Sequence, residues 1–293
     1  MAGAPDERPF ERLFVGDTRI DALPGDARGF AYGDGLFETM RVHRGEVPWW
    51  SMHMARLATG MQRLRIATLD QALFEREARA LFDDGGDGVL KLIVSRGGGG
   101  RGYAPLRDAA PLWRLSRHAV PAMSRAPLVL RWCDTQLSVQ PALAGLKHCN
   151  RLEQVLARAE WDDLVLDAGP IDEGLQCSTE GDVVGATSAN LFLLHGDTWT
   201  TPRIDRCGVA GVCRAWLLSA IDAMQTRVTP ADVETADAVL LCNAVRGILP
   251  VGRLGARTWA PHPAVADLRQ RLGRAHPAFG QAAASDQDDQ GQA

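Results

Sequence analysis

Lysine is nearly missing from this chain. Among 293 residues it occurs only at Lys91 and Lys147, and arginine supplies the other 30 of the 32 basic side chains. Lysine ordinarily ranks among the commonest residues, so chemistry that needs a side-chain primary amine has two candidates here. A positive excess is missing too: 32 basic against 36 acidic residues gives −4, with a pI near 6.0. That balance disfavours a partner recognised through a basic surface, whether nucleic acid or anionic membrane. No apolar run approaches the ~18 residues of a membrane span, and the opening MAGAPDERPFERL has no basic-then-apolar signal pattern. The six cysteines (Cys133, Cys149, Cys177, Cys207, Cys213, Cys242) form no CxxC pair. They read as reduced thiols of a cytoplasmic protein, which excludes a disulfide frame or a zinc site. No Ser-His-Asp order or metal-ligand spacing stands out, and His53 and His148 read as structural.

What is present is globular: 46% hydrophobic and 23% charged residues over a length that suggests about two domains. There is no internal repeat. Residues 12–49 read as strands and turns, with Arg44-Gly45 at a hairpin tip and Val47-Pro48-Trp49 on the return. From Ser51, a candidate cap, Met54, Leu57, Met61 and Leu64 recur at helical spacing. A second helix covers 70–82. GVLKLIVSRG and PLWRLSRH read as strands around the glycine-rich GGGGRGY. Residues 117–125 lack periodicity, so the domains are expected at 1–116 and 126–275. Beyond the linker, APLVLRW is a strand, and HCNRLEQVLARAEW a helix with Leu152, Val155, Leu156 and Ala159 on one face. GVAGVCRAWLLSAIDAM reads as one apolar helix, ADAVLLCNA as a buried strand and 263–274 as a last helix. The tail 276–293 is expected to be disordered; its three Asp and lack of Lys or Arg leave about −1 for the body (−4 + 3).

Several segments could carry chemistry, each with a plainer alternative. Lys91, between Leu90 and Leu92, falls on the solvent face of its strand. Lys147 leads into a helix, either as an exposed lysine or as an amine activated by desolvation. GVAGVCR opens a helix whose free N–H groups suit phosphate, and Arg56 in HMARL could add a bidentate counter-charge or be a solvated helix arginine. SRGGGGRGY is either a hairpin tip or a loop that closes on a carboxylated ligand through Arg101 or Tyr103.

In order, FAYGDGLFETMRV, HMARL, KLIVSRGGGGRGY, GLKHCNRLEQVLAR, ATSANLFL, TPRIDRCGVAGVCR and LLCNAVRGILPV resemble the class IV (fold-type IV) pyridoxal-phosphate enzymes from about residue 30 to 251. GLKHCNRLEQ and the SRGxGGRGY pattern are similar to the aminodeoxychorismate lyases of folate biosynthesis. A branched-chain transaminase would usually show Gly-Asn-Tyr after its lysine, where this chain has Cys149-Asn150-Arg151. The resemblance implies an α/β fold: an α+β N-terminal domain, a barrel-like α/β C-terminal domain, and pyridoxal phosphate between them in a homodimer. It implies that Lys147 binds the cofactor as a Schiff base, and that Arg56, Val212 with Cys213, and Asn243 with Ala244 hold its phosphate. Lys147 would then take the C4 proton of 4-amino-4-deoxychorismate, and Thr39 could pass a proton to the leaving group, giving 4-aminobenzoate and pyruvate. One position departs. The class usually has a glutamate five residues before the asparagine of the NLF strand, paired with the pyridine nitrogen; counting back from Asn190 gives Gly185. Without that carboxylate the electron sink is weaker, which tilts the reading from transamination towards an elimination that ends in an aromatic ring. A D-amino-acid or branched-chain aminotransferase, or a cofactor-binding protein with weak activity, are the alternatives.

Overall fold

The computed structural model describes residues 11–122, 126–161 and 170–280. The first part comprises β1 (Glu11–Val15), β2 (Thr18–Ile20), α1 (Arg28–Tyr32), β3 (Gly35–Val42), α2 (Trp50–Leu64), α3 (Gln71–Arg79), β4 (Gly88–Ser95) and β5 (Leu112–His118). Its strands form one antiparallel sheet in the order β2-β1-β5-β4-β3. Strand alternation sends Leu36, Met40 and Val42 of β3, with Leu90, Leu92 and Val94 of β4, to one face. There they meet Leu57 and Met61 of α2 and Leu73 and Phe74 of α3 in a single core. β3 lies at the sheet's free edge.

The second part comprises β6 (Leu128–Trp132), α4 (Leu152–Ala159), β7 (Glu173–Cys177), β8 (Val183–Ala186), β9 (Asn190–His195), β10 (Thr198–Pro202), α5 (Val212–Ala220), β11 (Ala223–Thr226), α6 (Pro230–Thr235), β12 (Ala238–Asn243), β13 (Gly247–Leu254), β14 (Arg257–Thr258) and α7 (Pro263–Ala275). Its strands make a mixed sheet in the order β11-β10-β9-β12-β13-β6-β7-β8, with β14 on β13. The sheet curls so that its end strand β8 lies beside β9. β9 between Leu191 and Leu194, and β12 between Ala238 and Cys242, are continuously apolar because both faces are covered. Leu191, Leu193, Val239 and Leu241 enter one core, and Phe192, Leu194 and Leu240 enter another beneath α5 and α7.

Several details differ from the sequence reading. Helix α2 starts at Trp50 after a left-handed Trp49, so Ser51 lies inside the helix and caps nothing. Trp49 is buried in the second part's core, stacking on Phe279 at 4.9 Å between ring centroids, and that anchorage sets the helix start. The return arm of the Arg44-Gly45 turn pairs only through a His43–Glu46 bridge. Short helix α1 was not anticipated. The apolar helix expected through Met224 stops at Ala220, because 223–226 pair in parallel with β10 and satisfy their backbone in the sheet. Strand β5 runs on through His118 into the expected linker, of which 123–125 lie outside the described residues. The expected tail begins too early: His276 and Phe279 pack on Trp49, and Pro277–Phe279 form a 3-10 turn. Residues 281–293 lie outside the described residues.

Trp49 is thus the first part's plug in the second part's core. Trp49→Ala is expected to lower unfolding free energy by about 3–5 kcal/mol in urea titrations. A loss below about 1 kcal/mol, the range of ordinary surface substitutions, would show that the plug is not a principal tie.

Candidate active site

The free edge of β3 is extended by the segment that carries Lys147. The Phe37 amide donates to the Lys147 carbonyl at 2.9 Å, the Cys149 amide donates to the Gly35 carbonyl at 2.9 Å, and Leu36 and His148 form an antiparallel bridge. Two residues earlier the same segment is tied to the other half of the molecule. The Gly145 amide donates to the Gly208 carbonyl at 3.0 Å, and the Ala210 amide donates to the Gly145 carbonyl at 3.1 Å. Lys147 is therefore held between the β3 edge and the loop that opens α5. Because Leu36 and Met40 face the core, Phe37 and Thr39 face the other way. With Lys147, Arg56, Arg151, Gln176 and the β8–β9 turn they line a cleft of about 370 Å³, within the ordinary size of small-molecule sites.

Lys147 Nζ lies 4.1 Å from the centroid of the Phe37 ring. Burial lowers its pKa and the nearby Arg56 charge lowers it further; Glu38 opposes both, and the amine comes to rest at about 7. It can therefore be an uncharged nucleophile near neutral pH. Glu38 is the acid that sequence reasoning missed. It sits on the core face of β3, 1% exposed, where it accepts from His53 Nδ1 at 2.7 Å and from both Nε and Nη2 of Arg56. Burial pushes the Glu38 carboxyl up, but the His53 hydrogen bond and the Arg56 charge outweigh it and hold the group at about 2. His53 itself is kept low by burial. His53 and Arg56 are three residues apart on α2, one helical face, so a single carboxylate gathers both. Arg56 Nη1 also donates to the Ala210 carbonyl at 3.1 Å. Three of its five N–H donors are thus engaged, which fixes the guanidinium and leaves two donors for the cleft.

Beside Arg56 stands the start of α5. The amides of its first turn have no partner within the helix, and Gly211 and Val212 line the cleft. Any side chain at Gly211 would bring a Cβ to 2.0 Å from Asn190 Oδ1, so only glycine allows the backbone to come this close. Across from it Asn243 Oδ1 accepts from the Val245 amide at 3.0 Å and the Arg246 amide at 2.8 Å, closing a turn that presents Asn243, Ala244 and Val245 to the cleft. A fixed guanidinium beside a helix N-terminus is an anion cradle.

The remaining wall is β7, β8 and the β8–β9 turn. Gly185 lines it, and a Cβ there would meet the Ala189 carbonyl at 2.9 Å. Glu173, buried nearby, accepts from the hydroxyls of Thr187 and Ser188 and pairs with Arg246. Of the residues expected from the sequence, Lys147, Thr39, Arg56, Val212, Asn243 and Ala244 all line the cleft. Cys213 is fully buried against the core behind it. Arg101 and Tyr103 are exposed and do not reach this chain's cleft; their loop is turned towards Arg28, which donates to the Gly102 and Tyr103 carbonyls. Lys91 lies on the outward face of β4, half-buried, and does not line the cleft. Beyond Glu38, sequence reasoning missed Arg151 and Gln176. A charge within the alternating apolar positions 36, 38, 40 and 42 was the signal for Glu38; nothing local marks the other two.

Residues 35–254 match the model of the family described as Amino-transferase class IV. The chain is 34% identical over 244 residues to an aminodeoxychorismate lyase of Vibrio harveyi, covering 80% of this chain and 88% of that one. The crystal structure of 4-amino-4-deoxychorismate lyase from Pseudomonas aeruginosa superposes with a TM-score of 0.82 at 42% identity, covering 89% of this chain and 98% of that one. Identity falls to 23% over 239 residues with a putative branched-chain-amino-acid aminotransferase of Methanocaldococcus jannaschii, covering 78% and 81%.

The Glu38 clamp has a pH signature. A carboxyl held at about 2 rather than its ordinary 4.5 contributes stability that is full above 4.5 and is lost as pH falls towards 2. Glu38→Gln should lower the melting temperature at neutral pH and flatten its fall over that acid window. A variant with an unchanged acid limb would show that Glu38 is not held by the clamp.

Proposed function

Since the chain belongs to the class IV aminotransferase family, we propose that it is a pyridoxal-phosphate-dependent 4-amino-4-deoxychorismate lyase, releasing pyruvate and giving 4-aminobenzoate for folate biosynthesis. The observation that carries this reading is a depressed-pKa amine, Lys147, in one cleft with an anion cradle made of Arg56, the α5 start and the Asn243–Ala244 turn. The cradle fits a phosphate, the amine fits a carbonyl, and Gly211 lets the α5 start pack closely against Asn190 at the cleft. The cofactor would lie between the α+β domain that closes with β5 at His118 and a C-terminal domain that runs from residue 126 to 280. The higher identity to lyases than to aminotransferases supports elimination over amino transfer.

Bound pyridoxal phosphate supplies a carbonyl that takes up an amine and a ring that accepts the electron pair of the adjacent carbon. Lys147 would hold the cofactor's carbonyl, and Arg56, the α5 start and the Asn243–Ala244 turn would hold its phosphate. With its pKa lowered to about 7, the Lys147 amine would be placed to take the substrate's C4 proton as the C3–oxygen bond breaks. Thr39, on the cleft wall, is the hydroxyl that can deliver a proton to the departing enolpyruvyl group. Each product keeps one carboxylate, so the substrate carries two. Arg151, half-buried in the cleft with Nε on the His148 carbonyl and Nη2 on the Leu146 carbonyl, is a fixed cation suited to one of them. Arg101 and Tyr103 would serve only if their loop reached a cleft other than their own chain's.

A homodimer accounts for the surface beside the cleft. The apolar stripe of α4 faces outward: Leu152 is 75% exposed, and Val155 and Leu156 nearly as bare. Such a stripe on a helix that leaves the Lys147 segment suits a second copy of this chain. No helix of the described residues is long and apolar enough to cross a membrane, and six free cysteines accord with a cytoplasmic setting.

Two experiments test these readings. Purified protein given 4-amino-4-deoxychorismate should release pyruvate and 4-aminobenzoate in equal amounts; Lys147→Ala should abolish both that release and the visible absorbance of bound cofactor, while Lys91→Ala should retain both. Amino transfer to 2-oxoglutarate without pyruvate would overturn the lyase reading, and loss of absorbance in Lys91→Ala alone would overturn the choice of lysine. Sedimentation at micromolar concentration should give a dimer that Leu152→Glu with Leu156→Glu converts to monomer; a monomeric parent protein would sink the dimer.

A further inference from the structure

The Gln176 side chain in the cleft wall has an amide oxygen without a partner. Gln176, on β7, is 1% exposed, and its Nε2 donates to the Thr135 carbonyl at 3.3 Å and reaches the Glu153 carbonyl at 3.5 Å. Both neighbours are acceptors, so the amide's orientation is fixed and its oxygen is the atom left over. That Oε1 is buried with no hydrogen-bond donor, a costly state that a built site resolves by binding one. Gln176 stands opposite Gly185 in the β7–β8 register, and both line the cleft with Lys147. Gln154 Oε1 is also buried and unpartnered in this lining, but no hydrogen bond fixes which end of its amide faces inward.

The chemistry of the ligand indicates what Gln176 meets. A pyridine ring tethered through its C4 carbonyl to Lys147, with the phosphate arm of the neighbouring ring carbon at Arg56 and α5, turns its opposite edge away from both anchors. The nitrogen is para to C4 and sits on that edge, and the lining that remains is the β7–β8 wall. We infer that Gln176 Oε1 accepts a hydrogen bond from the protonated ring nitrogen, a neutral amide on β7 serving where Gly185 on β8 offers no side chain. This rests on the cofactor proposed above. A dipole holds a pyridinium proton less firmly than a carboxylate would, so the nitrogen releases it at lower pH. The electron sink is moderated, not lost, which suits an elimination that gains an aromatic ring.

The test reads the nitrogen itself. Parent protein, Gln176→Glu and Gln176→Met are loaded with pyridoxal 5′-phosphate carrying 15N in the ring, and the nitrogen's chemical shift is followed against pH. Binding of pyridoxine 5′-phosphate, which has the ring and arm but no carbonyl, is measured in parallel by fluorescence. Gln176→Glu should raise the protonation midpoint by about one pH unit or more. Gln176→Met should lower it and weaken pyridoxine 5′-phosphate binding about tenfold at pH values where the nitrogen is protonated. Melting curves of the unloaded proteins establish that each folds, and the uncharged Met variant decides the matter if Glu is not tolerated. Normal uptake with coincident midpoints overturns the assignment alone, as does movement in Gln176→Glu without movement in Gln176→Met. A parent protein that takes up neither compound overturns the cofactor reading and this inference together.

Discussion

Four backbone hydrogen bonds along residues 145–149 join the two parts of this protein beside its cleft. Two extend the edge of β3 and two bind the loop before α5. A side chain at the end of an independent helix would have moved with that helix. Lys147 instead belongs to a strand-like strip shared by both halves, so its position relative to Phe37 on one side and the anion cradle on the other is set by main-chain geometry. The cost is that the strip must run in an extended path, which Gly145 makes possible by taking the left-handed region at φ +83°. Trp49, sunk into the opposite core, keeps the same two halves in register from the other end of α2.

Charge in the cleft is sorted by what can leave and what cannot. Arg56 and Lys147 share one small volume, and burial disfavours the lysine as a cation. Glu38 matches the fork of the Arg56 guanidinium from inside the core. Burial first, and the Arg56 charge second, bring the amine down to about 7. The buried carboxylate aims the arginine and holds the lysine's fall in check. Neutral His53 fills the remaining side of that carboxylate.

Much of this was legible in the chain because long-range order was written into local patterns. The segments GVLKLIVSRG and PLWRLSRH marked β4 and β5 within a residue or two, and the GVAG run marked the start of α5. What was not legible depended on contacts between distant segments. Trp49 opens α2 through a core contributed by residues 192–279, so no cap motif announces it. Ala223 and Met224, the first half of β11, read as helix until β10 is beside them. The apolar face of α4 was read from spacing, yet it points to solvent, because inside one chain the helix packs through Ala157. Gln176 has no local signature at all: its meaning lies in the Gly185 it faces and in the donor it lacks.

The glycine at 185 also ties the wall's chemistry to the course of its backbone. The Ala189 carbonyl that closes off a Cβ there is itself engaged by the Ala186 amide at 2.8 Å, in the turn that joins β8 to β9. A side chain at 185 would require that turn to shift, so a new functional group enters this wall more readily through β7 than through β8.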